Sequence, residues 1–229
     1  MKQFRILVIS ILTLLPIAVG AQEHRAEVLL ETTQGNIRIA LYNETPKHRD
    51  NFLSLVRTHF YDSLLFHRVI DEFMIQAGDP TSKHAEAGKR LGRGELDYTI
   101  EPEFCLPLHF HRRGVVAAAR EPDRINPERR SGACQFYIVW GRPLIDSQLN
   151  RVQERLDTLT HGTVQLTPEM RQVYKTVGGT PHLDGQYTVF GEVVEGLDVV
   201  DTIQRMEVDK YYRPYTDVRI LRAVILKEP

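Results

Sequence analysis

Residues 66 to 80 read FHRVIDEFMIQAGDP, and this segment is the most informative about the fold. Its two halves are rich in apolar and β-branched residues around a pair of acidic residues, which predicts two short strands separated by a turn. Because side chains alternate along a strand, we expect Phe66, Arg68 and Ile70 to share one face. An arginine among apolar groups commonly packs its stem and directs its head to a surface ion pair, so Arg68 alone indicates no particular chemistry.

The segments around this stretch predict further short strands and few helices. Two β-rich runs over residues 26–42 enclose the turn residues Thr33 to Gly35 and predict a hairpin. Thr45 and Pro46 are suited to begin a helix that ends near Thr58, and LDVVDTIQRM predicts a second amphipathic helix. More strands are predicted at 114–120, 135–141, 187–194 and 218–226. The pattern favours a mainly β fold, either an antiparallel sheet or a closed barrel, over alternating strands and helices.

Residues 142–181 have a different pattern and predict an inserted helical hairpin. Asp146 is suited to cap the first helix and Thr167 the second, which Gly178 and Gly179 should stop. The two apolar stripes are Ile145, Leu149, Val152, Leu156 and Leu159, then Met170, Val173, Tyr174 and Val177. The hairpin is too short for an independent core, so we expect it to pack on the rest of the domain or on a partner.

Composition limits the class of protein and of partner. The chain has 229 residues, 42% hydrophobic and 26% charged, as is ordinary for one globular domain. Its net charge is −1, so it has no basic excess with which to neutralise a nucleic-acid backbone. Nucleic acid is therefore not expected as a partner.

The N-terminus predicts an export signal over residues 1–21. Lys2 and Arg5 precede the apolar run 6–19, and two small residues follow. The apolar run contains a proline and is shorter than the ~20 residues that span a bilayer. We therefore expect cleavage, no stable membrane insertion, and a mature domain over residues 22–229 that is periplasmic or secreted.

No metal or cofactor is predicted. Cys105 and Cys134 lack the spacing of a zinc site, and the sequence is compatible both with one disulfide between them and with two separate thiols. His109 and His111 alternate as on a half-exposed strand face, with no matching carboxylate motif. The sequence also lacks a GxSxG motif and a nucleotide-binding glycine motif.

Three blocks in order resemble the signature blocks of the cyclophilins, a family of peptidyl-prolyl cis-trans isomerases. They are the opening stretch, QFYIVWG at 135 to 141 and HLDGQYTVFGEVVEG at 182 to 196. The resemblance covers nearly everything from Ala26 onward except the inserted hairpin. It implies a closed eight-stranded antiparallel barrel capped by two helices, with a packed interior and a substrate groove outside. We expect the two helices of the hairpin to pack together beside that groove.

By motif position, the resemblance implies that Arg68 is the catalytic arginine. The substrate-binding positions that it implies are the proline-pocket residues Phe73, Met74, Tyr137 and Leu183, the polar Gln76 and Gln135, the backbone clamp Ala119 and Arg120, and the flanking His182 and Tyr187. Well-known eukaryotic members have Trp, His and Asn where this chain has His182, Tyr187 and Arg120. These departures predict weaker cyclosporin binding without predicting weaker catalysis.

The implied activity is isomerisation of X-Pro bonds in exported proteins, assisting their folding, by a monomer that needs no metal or cofactor. The expected partners are unfolded or extended polypeptides that contain proline. An alternative is a non-catalytic module that binds proline-containing segments or acts as a chaperone. A carrier with a ligand inside the barrel is disfavoured, because it requires an open interior.

Overall fold

The computed structural model describes residues 24–229, and the predicted signal lies outside them. The strands are β1 (Glu27–Thr32), β2 (Gly35–Leu41), β3 (Arg68–Ile70), β4 (Met74–Ala77), β5 (Thr99–Ile100), β6 (Val115–Ala118), β7 (Ser131–Gly132), β8 (Phe136–Val139), β9 (Val189–Glu195) and β10 (Ile220–Lys227). Eight of them form one sheet in the order β10-β1-β2-β9-β6-β8-β4-β3, while β5 and β7 pair separately. All pairings in the larger sheet are antiparallel, which confirms the predicted strand number and direction.

The sheet curls into a half-barrel, and the closed barrel expected from the sequence is not confirmed. The edge strands β3 and β10 form no ladder with each other among the described residues. Instead, Leu65 and Arg219 form an isolated bridge, and the Phe66 N–H donates to the Val218 carbonyl at 2.9 Å. The pairing between the two edges does not extend along β3, because the carbonyl of Tyr212, in a loop, accepts the N–H of Val69 there.

Two helices cover the core as expected. Helix α1 (Pro46–Arg57) packs against β9 and β10, and the helix of the LDVVDTIQRM segment, α4 (Leu197–Gln204), packs against β2, β3 and β4. The largest fully buried side chains of the core between them and the sheet include Phe52, Tyr61, Phe66, Phe136, Leu30, Ile37 and Ile39. This interior is filled by side chains, so the groove expected from the sequence resemblance has to lie outside it.

The N-terminus of α1 is capped by a distant residue rather than by Thr45. The Glu103 carboxylate accepts the backbone N–H groups of Lys47 at 3.1 Å and His48 at 3.0 Å. Its second contact to His48, at Nδ1, is 2.7 Å. Thr45 instead donates its hydroxyl to the Tyr42 carbonyl. A carboxylate also suits the partial positive charge at a helix N-terminus.

The insertion folds as the predicted helical hairpin. It contains α2 (Asp146–Thr160) and α3 (Pro168–Thr176), which contact each other. Thr167 caps α3 through its hydroxyl as predicted, but Asp146 is the first helical residue of α2 and not its cap. From the apolar stripes, Leu149, Leu156, Met170 and Tyr174 are buried in a separate cluster, together with Val164 and Leu166 of the connecting loop. The chain thus has four helices in its described part, two on the core and two in the insertion.

Candidate active site

Three side chains form a row across the outer surface of the sheet. Arg68 of β3 is opposite Gln76 of β4, which is opposite Tyr137 of β8. Directly opposed residues share a face of the sheet, so their side chains are neighbours. The prediction that Phe66 shares this face is wrong: Phe66 precedes β3 and lies fully buried in the core, whereas Ile70 packs with the groove cluster.

A chain of hydrogen bonds holds the Arg68 guanidinium. Nη1 of Arg68 donates to Oε1 of Gln76 at 3.0 Å, and Nε2 of Gln76 donates to Oε1 of Gln135 at 2.9 Å. Nε2 of Gln135 then donates to the Gly94 carbonyl at 2.8 Å. Burial lowers the pKa of Arg68 from its usual value, but an arginine remains protonated at neutral pH. The guanidinium is therefore a fixed cation with free donors.

An apolar pocket of about 190 Å³ opens beside this cation. Its lining is Arg68, Phe73, Met74, Gln76, Ala119, Arg120, Tyr137, Leu183 and Tyr187, nine of the eleven residues that the sequence predicts for the site. The other two are adjacent: Gln135 binds Gln76, and the His182 ring stacks on Phe73 with centroids 5.7 Å apart. The structure thus brings all eleven together.

Phe73 and Met74 both contribute to the pocket although they are neighbours in sequence. Met74 opens β4 and is 2% exposed, whereas Phe73 lies in the turn before the strand. The carbonyl of Phe73 accepts the N–H groups of Trp140 and Gly141, at 2.8 and 3.1 Å. This fixes the turn, so the strict alternation of a strand does not apply to the pair.

The two residues of the predicted backbone clamp differ in what they offer. The N–H of Ala119 donates to the Gln135 carbonyl at 2.9 Å, and its carbonyl accepts from Gly132 at 2.8 Å. The N–H of Arg120 makes no hydrogen bond among the described residues. Arg120 is therefore the residue whose backbone N–H is free to bind an extended peptide.

The side chain of Arg120 holds the rim of the pocket rather than facing solvent. Its Nε donates to the Gln186 carbonyl at 2.6 Å, and its Nη2 pairs with Asp123 at the same distance. The guanidinium also lies over the Tyr187 ring, 4.5 Å from the centroid. The Arg120 side chain thus fixes the Tyr187 ring, the aromatic wall of the pocket.

His182 is a neutral wall of the groove. Burial lowers its pKa to about 4, and the charges of His111 and Arg155 act in the same direction. A neutral imidazole stacked on Phe73 presents an aromatic surface at physiological pH.

The sequence analysis missed a buried polar chain beneath the pocket. His111 is 1% exposed, so its interpretation as a half-exposed strand residue is wrong. Its Nε2 lies 3.0 Å from the Tyr137 hydroxyl and its Nδ1 lies 2.9 Å from Oδ1 of Asp184. Oδ2 of Asp184 accepts the hydroxyl of Tyr174, in the insertion, at 2.6 Å. The one available signal was the Tyr137 hydroxyl itself, which needs a partner when buried.

Other sites raised by the sequence take no part in the groove. His109 stacks on Tyr42 at 3.7 Å and binds Glu44, apart from the pocket. Cys105 and Cys134 are both free thiols. Within residues 24–229 no cluster of three or more His, Cys, Asp or Glu side chains has the geometry to hold a metal ion. No helix in that range is long and apolar enough to cross a membrane.

Comparison with known proteins identifies the family. The model of the cyclophilin type peptidyl-prolyl cis-trans isomerases matches residues 27–225. The chain is 31% identical over 204 residues to human peptidyl-prolyl cis-trans isomerase-like 3, covering 88% of this chain and 97% of that protein. It is 30% identical to peptidyl-prolyl cis-trans isomerase 10 of Caenorhabditis elegans, covering 88% and 96%.

A solved structure has the same fold. The cyclophilin type isomerase of Cryptosporidium parvum superposes with a TM-score of 0.62 at 23% identity, covering 90% of this chain and all of that one. A second structure of that protein, in the presence of the dipeptide Ala-Pro, gives a TM-score of 0.59. Because the family model matches residues 27–225 and the human relative is 31% identical over 88% of this chain, the chain belongs to the cyclophilin family of peptidyl-prolyl cis-trans isomerases.

Proposed function

We propose that this isomerase acts on X-Pro bonds through Arg68, and that it serves the folding of exported proteins. The observation that carries the catalytic part is the position of the Arg68 guanidinium, held by Gln76 at the edge of an apolar pocket large enough for a proline ring. Neither a nucleophile nor a cofactor is required for this chemistry.

The chemistry follows from the peptide bond. Resonance makes rotation cost ~18–20 kcal/mol, and in the twisted transition state the prolyl nitrogen becomes pyramidal and basic. A cation that donates a hydrogen bond to that nitrogen binds the twisted form better than either planar form. Arg68 cannot lose its proton, and its planar fork retains donors beyond the one that binds Gln76. It is therefore the group that stabilises the transition state.

The remaining residues hold the two sides of the rotating bond differently. Phe73, Met74 and Leu183 receive the proline ring, while the Arg120 backbone binds the chain outside the pocket. Fixing one side in an apolar pocket leaves the acyl side free to turn against Arg68. Rotation then needs no movement of the enzyme's own backbone.

The biological setting rests on the N-terminal sequence. The predicted export signal at residues 1–21 supports a periplasmic or secreted enzyme. Slow X-Pro isomerisation limits the folding of many proteins, so an exported isomerase would act on unfolded chains as they emerge. We propose that the enzyme works there as a monomer.

The decisive experiment measures cis-trans exchange by NMR on an Ala-Pro peptide. Arg68→Ala should lower kcat/KM by roughly a hundred- to a thousandfold, about 3–4 kcal/mol, with an unchanged melting temperature. Arg68→Lys keeps the charge but loses the fork, so it should restore only part of the rate. Arg142→Ala is the matched control, because its exposed side chain pairs with Glu72 outside the pocket. Full exchange in a folded Arg68→Ala protein would refute the assignment.

Further experiments test whether the protein is exported and whether it is a non-catalytic binding module. Refolding of a client limited by a proline should accelerate with the wild type and not with Arg68→Ala. A protein that binds the client but leaves exchange at its spontaneous rate would be a binding module. Mass analysis of the periplasmic fraction should find a chain beginning at Gln22, and a full-length cytoplasmic chain would contradict export.

A further inference from the structure

A second cavity, of about 410 Å³, borders the Arg68 guanidinium. It shares Arg68 and Gln76 with the proline pocket, and its other walls come from His67 and from two loops. One loop contributes Arg90, Leu91, Gly92 and Arg93, and the other contributes Lys210, Tyr211 and Tyr212. We call this the basic cavity. Because both cavities are lined by Arg68, the basic cavity adjoins the pocket that we propose receives the proline ring.

The lining of the basic cavity is strongly cationic. Arg90, Arg93 and Lys210 are exposed, and together with Arg68 they supply four positive charges. No Asp or Glu is part of the lining. None of the side chains of Arg90, Arg93 and Lys210 makes an ion pair or a hydrogen bond within residues 24–229. Unpaired cations around one concave space attract an anionic ligand.

Two carboxylates close to Lys210 in sequence, those of Asp209 and Asp217, bind other groups. Oδ1 of Asp209 accepts the backbone N–H groups of Tyr211 at 2.7 Å and Arg213 at 3.0 Å. Asp217 pairs with the Arg213 guanidinium at 2.9 Å. Within residues 24–229, no carboxylate therefore pairs with the side chains of Arg90, Arg93 or Lys210.

The walls of the basic cavity are tied to the catalytic strand. The Tyr212 carbonyl accepts the N–H of Val69, the residue after Arg68, at 2.8 Å. Arg213, 3% exposed, donates to the Glu86 carbonyl at 2.7 Å and so joins the two loops. The Tyr211 ring lies 5.4 Å from the Arg90 guanidinium and 5.1 Å from the Lys210 amine. The two loops that carry the cations are thus held to β3 and to each other beside Arg68.

We propose that the basic cavity is a specificity subsite for a carboxylate side chain, Asp or Glu, that flanks the proline of the substrate. The proposal rests on the assignment of Arg68 as the catalytic residue. An extended chain advances about 3.3–3.6 Å per residue, so an acidic residue within three positions of the proline reaches a cavity that adjoins Arg68. The enzyme then prefers acidic proline segments although its own net charge is −1.

The first test compares substrates on the wild-type enzyme. Peptides carry Glu, Gln or Lys at each of the three positions before and after an Ala-Pro or Pro-Ala core, and NMR exchange gives kcat/KM at low and at high salt. At one or two positions on one side, Glu should exceed Gln by about three- to tenfold at low salt, with Lys below Gln. High salt should reduce that ratio towards one, because these charges are exposed to solvent.

The second test removes the charges. Arg90→Gln, Arg93→Gln and Lys210→Gln combined should bring the Glu-to-Gln ratio close to one. The control variant with Arg57→Gln, Arg151→Gln and Lys227→Gln changes the net charge equally at residues outside the basic cavity, and should keep the preference. Equal rates for Glu and Gln peptides at every position would overturn the proposal. So would a preference for Glu that persists in the combined Arg90→Gln, Arg93→Gln and Lys210→Gln variant. Failure of the Arg68 assignment is distinct, since it would show as full exchange of the Gln peptides by Arg68→Ala.

Discussion

The hydroxyl of Tyr174 donates a 2.6 Å hydrogen bond to Oδ2 of Asp184, joining helix α3 of the insertion to the segment that follows it. Both side chains are fully buried. The other oxygen of the same carboxylate accepts from His111, whose ring reaches the Tyr137 hydroxyl in the proline pocket. The insertion is thereby connected to the floor of the active site through four polar side chains.

Removing the hydroxyl of Tyr174 should weaken the protein and loosen the pocket. Tyr174→Phe leaves a buried carboxylate oxygen without its donor, at a cost of about 1–3 kcal/mol in the free energy of unfolding. The hydrogen bonds from Tyr174 through Asp184 and His111 reach Tyr137 in the proline pocket. KM for peptides should therefore rise more than kcat falls. Denaturant unfolding and exchange kinetics measure the two effects. Tyr215→Phe, at a side chain 73% exposed, should change neither, and an equal response of both variants would contradict the connection.

Deleting the helical hairpin should leave a folded half-barrel with altered peptide preferences. The ends of the hairpin already meet, since a methyl group on Gly178 would lie 2.8 Å from the carbonyl carbon of Arg142. Residues 143–177 can therefore be replaced by a short Gly-Ser link. The variant loses Tyr174 and uncovers Leu106 and Phe110, so we expect a lower melting temperature and a changed ranking of peptides. An unchanged ranking would show that the insertion has no effect on the groove.

Gln76 should act as a positioning residue for Arg68. Gln76→Leu keeps the size of the side chain but removes the acceptor for Nη1 of Arg68 and the donor to Gln135. We expect kcat to fall about ten- to a hundredfold with a smaller change in KM, since the cation remains but is less well aimed. Gln172→Leu, on the exposed face of α3, is the matched control. A rate loss that appears wholly in KM would argue against positioning.

Acid should destabilise the protein through two buried histidines. Burial lowers the pKa of His67 and of His182 to about 4, whereas an unfolded histidine titrates near about 6.5. Between these values the unfolded chain binds protons that the folded chain does not. The free energy of unfolding therefore falls as pH falls through this window, by up to about 3 kcal/mol for each histidine. Above about pH 7.5 both residues are neutral in both states, so they contribute almost no pH dependence there.

Melting temperatures from pH 8 to pH 4 measure this effect. His182→Gln should flatten the decline relative to the wild type. His59→Gln, at an exposed side chain, should leave the decline unchanged. If the melting temperature declines equally steeply in all three proteins, groups other than His182 cause the decline.

Glu103 should matter to stability more than its neighbour Glu101. Glu103→Gln removes the charge that caps α1 and contacts buried His48, and we expect a loss of about 1–2 kcal/mol in the free energy of unfolding. Glu101→Gln is the matched control, because its pair with Lys47 is exposed and screened by solvent. Chemical denaturation of both variants gives the difference. Equal losses would mean that the cap contributes nothing beyond a surface charge.

The sequence by itself predicted the features that depend on neighbouring residues. Alternation and turn residues predicted the β1–β2 hairpin, and Pro46 with its apolar spacing predicted α1. The apolar stripes and the glycine pair predicted the helices of the insertion. The eleven groove residues were implied by the resemblance to the cyclophilins, and the register of β3, β4 and β8 sets Arg68, Gln76 and Tyr137 side by side.

The tertiary structure alone decided what depends on segments distant in sequence. Local periodicity carries no information on whether β3 and β10 pair, so it did not reveal that a loop meets β3 and leaves the half-barrel open. Nor does it show that Glu103 rather than Thr45 caps α1, or that His111 is buried between Tyr137 and Asp184. The three cations of the basic cavity come from loops more than a hundred residues apart in sequence, and long-range packing is what brings them to Arg68. Hydrogen bonds and charges act over a few ångströms in space whatever the separation along the chain, and that proximity exists only once the chain has folded.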